Sequence, residues 1–341
     1  ALEDITVSYD NLKSKWQVRV IQDEVVAVDA AKRSISLARG GSMTYDRLVL
    51  SPGVDFMFDQ IPGLNDAAAQ SRILHAWKAG PQTVALRKQL EDMKDGGIFA
   101  ISIPKAPFRC PPAPYERACL VASYFKQRKP KSKVIILDAN EEVASKKDLF
   151  TKAWADLYSG IVEYRNENEV KDVEPGSNTA ITEFDKLKAD VLNVIPPQRA
   201  GDIATKSGLR LINNRWVDVN WLTMESTNTP NVHVLGDAVF PAPVMPKSGN
   251  MANQQGKLAA AAILNLLAGQ PPSATPVLMN ACYSFMDSGS AAHINSVHKY
   301  DTATKTMQPV KGAGGVSVAR NEIEAKFALG WAKNIWADML A

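Results

Sequence analysis

Apolar and polar positions alternate from residue 16 to residue 51, as in Trp16-Gln17-Val18-Arg19-Val20 and Ser34-Ile35-Ser36-Leu37, before the chain reaches Tyr45-Asp46-Arg47-Leu48-Val49-Leu50-Ser51-Pro52-Gly53. A period of two puts successive side chains on opposite faces of a strand, so this stretch predicts a small antiparallel meander. From about 79 to 94 the apolar spacing becomes helical, and Gly96-Gly97 then turns the chain into an apolar strand over 98–103. A helix over 114–128 and a strand over 134–137 closing on Asp138 complete a β-α-β unit. Residues 160–195 read as a second set of strands, ending before Pro196-Pro197-Gln198-Arg199, and Thr229 to Asp237 reads as a buried strand that ends on Gly236-Asp237. Lys247-Ser248-Gly249 opens an alanine-rich helix that runs to about Ala268. A last amphipathic segment carries Phe327, Trp331, Ile335 and Met339 at four-residue spacing. Its polar face holds only Lys326, Lys333 and Asp338, without the basic excess of a membrane-lying helix, so its stripe is expected to pack on its own protein. No internal repeat or low-complexity tract interrupts the chain.

At 341 residues and 45% hydrophobic, the chain can bury a sizeable core spread over two or three domains. The 39 basic and 36 acidic residues leave a net charge of +3 with no stripe of one sign, which argues against nucleic acid or anionic lipid as a partner. No run of 18 apolar residues occurs, so no transmembrane segment is expected, and Ala1-Leu2-Glu3-Asp4 lacks the regions of a signal peptide. Three cysteines are too few for a disulfide scaffold, and none lies in Cys-x-x-Cys-His, so no c-type haem is attached to this chain. His75, His233, His293 and His298 show no ligand spacing, and no metal is expected.

A dinucleotide-binding unit needs a glycine-rich turn whose free N–H groups cradle a pyrophosphate. Here the corresponding turn holds Pro104, Pro107, Pro111, Pro112 and Pro114, which carry no N–H and stiffen their neighbours. The loop is suited to holding Cys110 rigidly and unsuited to a nicotinamide nucleotide. Asp237 at a strand tip can accept hydrogen bonds from ribityl hydroxyls, and the helix start at Ser248 and Gly249 can offer N–H dipoles to the electron-rich edge of a flavin. Cys110 and Cys282 lie 172 residues apart. In this setting they read as a redox pair facing a flavin, with Arg109, Glu116 and the helix start after Pro114 able to tune a thiolate. Two other readings stay open: a structural staple, which a loop this long would make worth about 5 kcal/mol, or two inert core thiols. Cys119 reads as a packed small hydrophobe.

These segments resemble the flavoprotein subunit of flavocytochrome c sulfide dehydrogenase, a relative of the sulfide:quinone oxidoreductases in the two-dinucleotide-binding flavoprotein superfamily. The resemblance is most specific at Ala106-Pro107-Phe108-Arg109-Cys110-Pro111-Pro112 through Tyr115-Glu116-Arg117 and at Lys133 to Asp138. It recurs at Ile195 to Gly201, at Met245-Pro246-Lys247-Ser248-Gly249 and at Cys282-Tyr283-Ser284. It implies an α/β, glutathione reductase-like fold with an incomplete first Rossmann domain. The remainder of the FAD-binding domain would span 1–68 and a second Rossmann-like domain without nicotinamide 69–196. The chain would return to the FAD-binding domain over 197–272 and end in a C-terminal α+β interface domain over 273–341. It further implies FAD as cofactor, with Pro52, Gly53, Gly236, Asp237, Lys247, Ser248, Gly249 and Trp331 around it. Cys110 and Cys282 would form the disulfide that sulfide opens, Glu116 would handle protons, and electrons would leave to a c-type cytochrome subunit in the periplasm. Family members begin with a strand and a glycine-rich turn for the ADP half of FAD, and this sequence holds neither. The chain therefore reads as a family member lacking that first unit. The alternatives are a membrane-associated sulfide:quinone oxidoreductase and a flavin-free remnant that serves as a binding or assembly partner.

Overall fold

The structure, a computed structural model, describes residues 2–340. At its centre, four parallel strands lie in the order Val191–Val194, Ile98–Ile103, Lys133–Asp138, Val162–Arg165. A parallel sheet covered on both faces needs near-continuous apolar strands, and Ile98–Ile103 and Lys133–Asp138 supply them. Their residues alternate between two cores. Phe99, Ile101, Ile103, Val134 and Ile136 face the helix Ala113–Arg128, which answers with Tyr115, Ala118, Cys119, Ala122 and Phe125 at helical spacing. Ala100, Ile135, Leu137, Leu192 and Val194 face the other way, against Ile61, Leu64 and the antiparallel sheet of Asp172–Glu174, Thr179–Ile181 and Lys186–Lys188.

Asp138 ends its strand fully buried, where a dinucleotide-binding unit carries the carboxylate for a ribose. Both its oxygens are engaged internally. Oδ2 accepts from the Tyr115 hydroxyl at 2.6 Å and the Tyr164 hydroxyl at 3.0 Å, and Oδ1 accepts from the Asn140 backbone N–H at 2.9 Å and side-chain amide at 2.7 Å. Because a buried donor left unpaired costs about 1–3 kcal/mol, Asp138→Asn, which swaps one acceptor oxygen for a donor, is expected to lower stability by that amount. A shift in the denaturant midpoint at unchanged slope would report it; an unmoved midpoint would show that the two tyrosines find other partners.

The meander expected over 16–51 is only partly present. Val25–Asp29, Ser34–Leu37 and Ser42–Thr44 pair antiparallel. Among the described residues no strand starts before Val25, and Trp16 and Val18 are 66% and 45% exposed. The alternation there has no sheet beneath it, and period alone does not make a strand without a surface to cover. Leu48–Leu50 leaves the meander and pairs parallel with Val232–Val234, as the edge of a sheet that continues to Glu225–Ser226 and Val219–Asn220. The chain passes between this body and the parallel sheet through Val54–Phe56, paired antiparallel with Gln198–Ala200. Gly201 sits so close to Pro52 that a Cβ on it would approach Pro52 Cβ to 2.7 Å.

The last sheet joins Val277–Phe285, Ala291–Asp301 and Thr306–Pro309, with Gly315–Val316 beside the second strand. Helix Glu322–Leu340 covers it, with only half of the stripe expected from the sequence: Trp331 and Ile335 are half-buried. Ala325 and Ala328 are its buried residues, while Phe327 and Met339 are 58% and 42% exposed. Small side chains let the helix approach the sheet closely, and that contact sets the rotation of the helix against its larger apolar residues.

Candidate active site

The proline-rich loop after Ile103 is held from three sides. Arg109 N–H donates to Gln198 Oε1 at 2.9 Å, Trp77 Nε1 donates to the Arg109 carbonyl at 3.1 Å, and Arg215 reaches the Pro107 carbonyl at 3.2 Å. Cys110 takes a left-handed backbone (φ +57°), its N–H donates to the Lys247 carbonyl at 2.8 Å, and its own carbonyl accepts from Ala113 N–H at 3.0 Å. Arg117 anchors the assembly from the helix behind. Its guanidinium donates to the carbonyls of His75 and Ala76 and to Asn193 Oδ1, and lies 5.0 Å from the Trp77 ring centroid. Burial brings Arg117 down to about 10 and His75 to about 4, so His75 stays uncharged beside the guanidinium.

Cys282 arrives on the strand Val277–Phe285, which is pinned on both sides of the thiol. Ser248 Oγ donates to Asn280 Oδ1 at 2.5 Å, Ala281 N–H to Asn250 Oδ1 at 2.8 Å, and Phe285 N–H to Glu116 Oε1 at 2.9 Å. Helices Gly249–Leu267 and Ala113–Arg128 thus both grip the strand. Cys110 and Cys282 are free thiols, near enough that charge on Cys282 helps to raise Cys110. Burial is the largest cause pushing both thiols up; Glu116 adds to it at both, Arg109 opposes it at Cys110, and Lys146 opposes it at Cys282. Burial also raises Glu116, against the lowering effect of the Phe285 N–H, Lys146 and the Ser284 hydroxyl.

An open cleft of about 440 Å³ leads to Cys110, bounded by Trp77, Arg109, Arg117, Asp237, Ser248 and Gly249. Ser248 caps the 19-residue helix by accepting from Met251 N–H at 3.0 Å, and nothing lies within 4 Å of where a Gly249 Cβ would stand. The positive end of that helix is therefore open. Asp237 Oδ2 sits 3.7 Å from Arg109 Nε, while its Oδ1 is buried with no hydrogen-bond partner. Burial raises this carboxyl, against Arg109 and Lys247. An orphaned carboxylate oxygen and an open helix N-terminus in one cleft suit a group bearing hydroxyls at one end and an electron-rich ring edge at the other, which are the features of a flavin with its ribityl chain.

Cys110, Asp237, Ser248 and Gly249 meet at this cleft, with Gly236 in the turn before Asp237 (φ +75°) and Glu116 in the adjoining hollow between helices Pro81–Asp92 and Ala113–Arg128. Lys247 reaches inward. Its ammonium donates to the Asp237 carbonyl at 2.9 Å and to the Val239 carbonyl, 3.7 Å from the Trp216 ring centroid, and burial takes it down to about 7. It braces the turn that carries Asp237. Pro52 and Gly53 stand at the interdomain crossing, where Gly53 O accepts from Gly201 N–H at 3.0 Å, and do not border the cleft. Trp331 is not brought to the cleft either. It packs on Tyr283, 6.1 Å between ring centroids, and strand alternation puts Tyr283 on the opposite face from Cys282. Cys119 is buried in the core and pushed up to about 12 by burial. Reading the sequence gave no role to Lys146, Ser284, Trp77, Gln198 or Asn250: Ser284 and Gln198 lie inside stretches that carry the resemblance, no motif marks the other three, and only the folded chain places all five around the cysteines.

The fold and this cleft define the class: a two-dinucleotide-binding flavoprotein. Residues 83–196 match the model of the sulfide dehydrogenase [flavocytochrome c] flavoprotein chain, central domain, and residues 274–340 that of the flavocytochrome c sulphide dehydrogenase flavin-binding domain. The chain is a flavoprotein of the flavocytochrome c sulfide dehydrogenase and sulfide:quinone oxidoreductase type, a family of sulfide-oxidising flavoprotein oxidoreductases. It is 26% identical over 256 residues to the mitochondrial sulfide:quinone oxidoreductase of Mus musculus, covering 71% of this chain and 55% of that protein. To the Dictyostelium discoideum protein of the same name it is 23% identical over 229 residues, covering 64% and 49%. The chain thus spans about half the length of the curated relatives it matches. The solved sulfide:quinone oxidoreductase of Aquifex aeolicus superposes with a TM-score of 0.75 at 17% identity, over 98% of this chain and 78% of that one. The putidaredoxin reductase–putidaredoxin complex gives 0.63 at 18%, over 86% and 68%. Both likenesses speak to fold.

Proposed function

We propose that this chain oxidises sulfide with a Cys110–Cys282 disulfide and FAD, and passes the electrons to a c-type cytochrome subunit in the periplasm. One observation carries the reading: two half-buried cysteines 172 residues apart in sequence are both tied to the segment Lys247–Asn250, Cys110 through the Lys247 carbonyl and the Cys282 strand through Ser248 and Asn250, and Cys110 lines the cleft that suits a flavin. Hydrosulfide attacks one sulfur of the disulfide, a new S–S bond forms as the old one breaks, and the displaced cysteine keeps the bonding pair as thiolate. A second hydrosulfide takes the outer sulfur of the persulfide as hydrogen disulfide and leaves two thiols, and a flavin, when bound, would supply the two-electron acceptor that restores the disulfide. Asp237 would hold the ribityl hydroxyls of a flavin and the open helix N-terminus at Ser248 and Gly249 would suit its electron-rich edge, while Trp77 and Gln198 keep the Cys110 loop in place and Glu116 takes the proton from the attacking sulfide. A one-electron acceptor from outside agrees with the absence of a haem-attachment motif in the sequence. Among the described residues no helix is long and apolar enough to cross a membrane.

Hydrogen bonds to a charged group contribute about 1.5–3 kcal/mol, so Asp237→Ala is expected to weaken flavin affinity by about 10–100-fold, read as cofactor lost on gel filtration. Undiminished flavin content would remove Asp237 from the site. Sulfide-driven reduction of added cytochrome c tests the acceptor, and a protein that reduces only quinone would overturn that part of the reading.

A further inference from the structure

We propose that Lys247 is the positioning residue that ties the turn presenting Asp237 to the backbone of Cys110, so that the hold on a cofactor and the setting of the thiol form one unit. The link to a cofactor rests on the flavin reading above, whereas the link between the two segments rests on contacts within this chain.

Gly236–Ala238 is one turn of 3₁₀ helix, too short to pair its own last carbonyls. The carbonyls of Asp237 and Val239 both accept from the Lys247 ammonium, the first at 2.9 Å. A third donor is left for the face of Trp216, whose ring centroid lies 3.7 Å from Nζ. Lys247 is 5% exposed, so these contacts stand in for water. The chain between Val239 and Lys247 is Phe240-Pro241-Ala242-Pro243-Val244-Met245-Pro246. Three prolines leave it short of N–H donors. Val244 within it is 79% exposed and left-handed (φ +61°), and Met245 N–H donates to the Ala242 carbonyl at 3.0 Å. The lysine side chain closes the base of this loop, from the residue after it to the residue before it.

The same residue reaches the thiol through its backbone, where the Lys247 carbonyl accepts from Cys110 N–H at 2.8 Å. Cys110 is left-handed (φ +57°), a conformation that a residue bearing a Cβ keeps only where its surroundings enforce it. Lys247 thus holds the Asp237 turn at one end and Cys110 at the other. Were the ammonium absent, two buried carbonyls would lose their donor, and the turn could regain partners only by moving toward water. That movement would carry the Lys247 backbone and the Cys110 N–H with it. The strand of Cys282 is held differently, by the side chains of Ser248 and Asn250. A ligand that orders the Asp237 turn therefore orders Cys110, and by linkage an ordered Cys110 loop favours the ligand.

The test is amide hydrogen exchange of the full chain without cofactor, read residue by residue by mass spectrometry. Pro111 and Pro112 carry no N–H, which isolates the Cys110 amide on that side. Lys247→Met keeps the length of the side chain and removes its donors. It should speed exchange at Cys110 by about 10–100-fold, the loss expected for hydrogen bonds from a charged group, although the carbonyl that accepts from Cys110 is still present. The Val239 amide should speed up with it, and the Ala281 amide, held by Asn250, should move less. Lys247→Arg, which keeps charge and donors, should recover most of the protection, and Lys247→Gln serves where Lys247→Met does not fold. Leu209→Ala, in the same core and away from the turn, controls for lost stability and should leave Cys110 slower to exchange than Lys247→Met does. In titrations with FAD followed by flavin fluorescence, Lys247→Met should weaken binding about tenfold or more. Asp237→Ala should also weaken binding, yet leave Cys110 exchange in the cofactor-free chain near wild type. Cys110 exchange unmoved in the folded Met and Gln variants, Asp237→Ala or Leu209→Ala speeding it as much as Lys247→Met, or FAD affinity unchanged in Lys247→Met overturns the assignment. A wild type that binds no FAD would discard the flavin reading, while the exchange measurements, which use no cofactor, would still decide the tie between the turn and Cys110.

Discussion

Cys110→Ser is expected to abolish sulfide-dependent reduction of the flavin-loaded protein, a loss on the order of 10⁴-fold or more, as for removal of a nucleophilic or electrophilic centre in a covalent mechanism. Serine keeps the size of the side chain and cannot form the S–S bond that sulfide must open. The loop does not depend on the sulfur for its shape: Gln198, Trp77, Arg215 and the Lys247 carbonyl hold its backbone. The variant should therefore fold and retain flavin, which separates loss of chemistry from loss of structure. Anaerobic mixing with sulfide, followed at the flavin absorbance, decides the matter, and reduction at the wild-type rate would rule out a disulfide mechanism. A structural staple makes the opposite forecast, since breaking it would lower stability by about 5 kcal/mol and leave the rate per folded molecule intact.

The parts of this molecule that could be read from sequence are those where one residue pattern has one physical solution. The apolar runs at 98–103 and 134–137, too short for a helix of ordinary length and bounded by Gly96-Gly97 and Asp138, read as strands covered on both faces, and the alanine-rich helix after Ser248 announces its own cap. The cluster around the thiols is another matter. Lys146, Ser284 and Glu116 come from three separate elements, and nothing local distinguishes Lys146 from Lys147 beside it, which is exposed and paired with Glu142. One residue of backbone direction separates a surface ion pair from a buried counter-charge, and the tertiary fold chooses between them. The C-terminal helix was legible only in part for a related reason: it packs on its own sheet, with Trp331 on Tyr283, but its fully buried residues are alanines while Phe327 and Met339 stay exposed.

Glu116→Gln gives the second large effect, because the carboxylate is asked to work as a base in a site that resists its charge. Removal of a positioned acid or base typically costs about 10²–10⁴-fold, and glutamine keeps an oxygen that can still accept from the Phe285 N–H, so the strand carrying Cys282 should stay docked. Burial raises the wild-type carboxyl above the ordinary glutamate value. The active, ionised form is therefore lost on acidification at a higher pH than for an exposed glutamate. Sulfide itself gains protons in the same direction, so the ratio of wild-type to variant rates is the quantity to follow, and it should fall toward one as pH drops through the Glu116 midpoint. The same shift has a stability sign. A carboxyl whose folded value is raised holds its proton more tightly when folded; its stabilising contribution is complete below the unfolded value and disappears as pH rises through the folded one. Glu116→Gln should thus gain stability relative to wild type on going from acidic to neutral pH. A rate ratio independent of pH, together with a stability difference that does not change sign or size, would mean that Glu116 only ties down the strand and takes no proton.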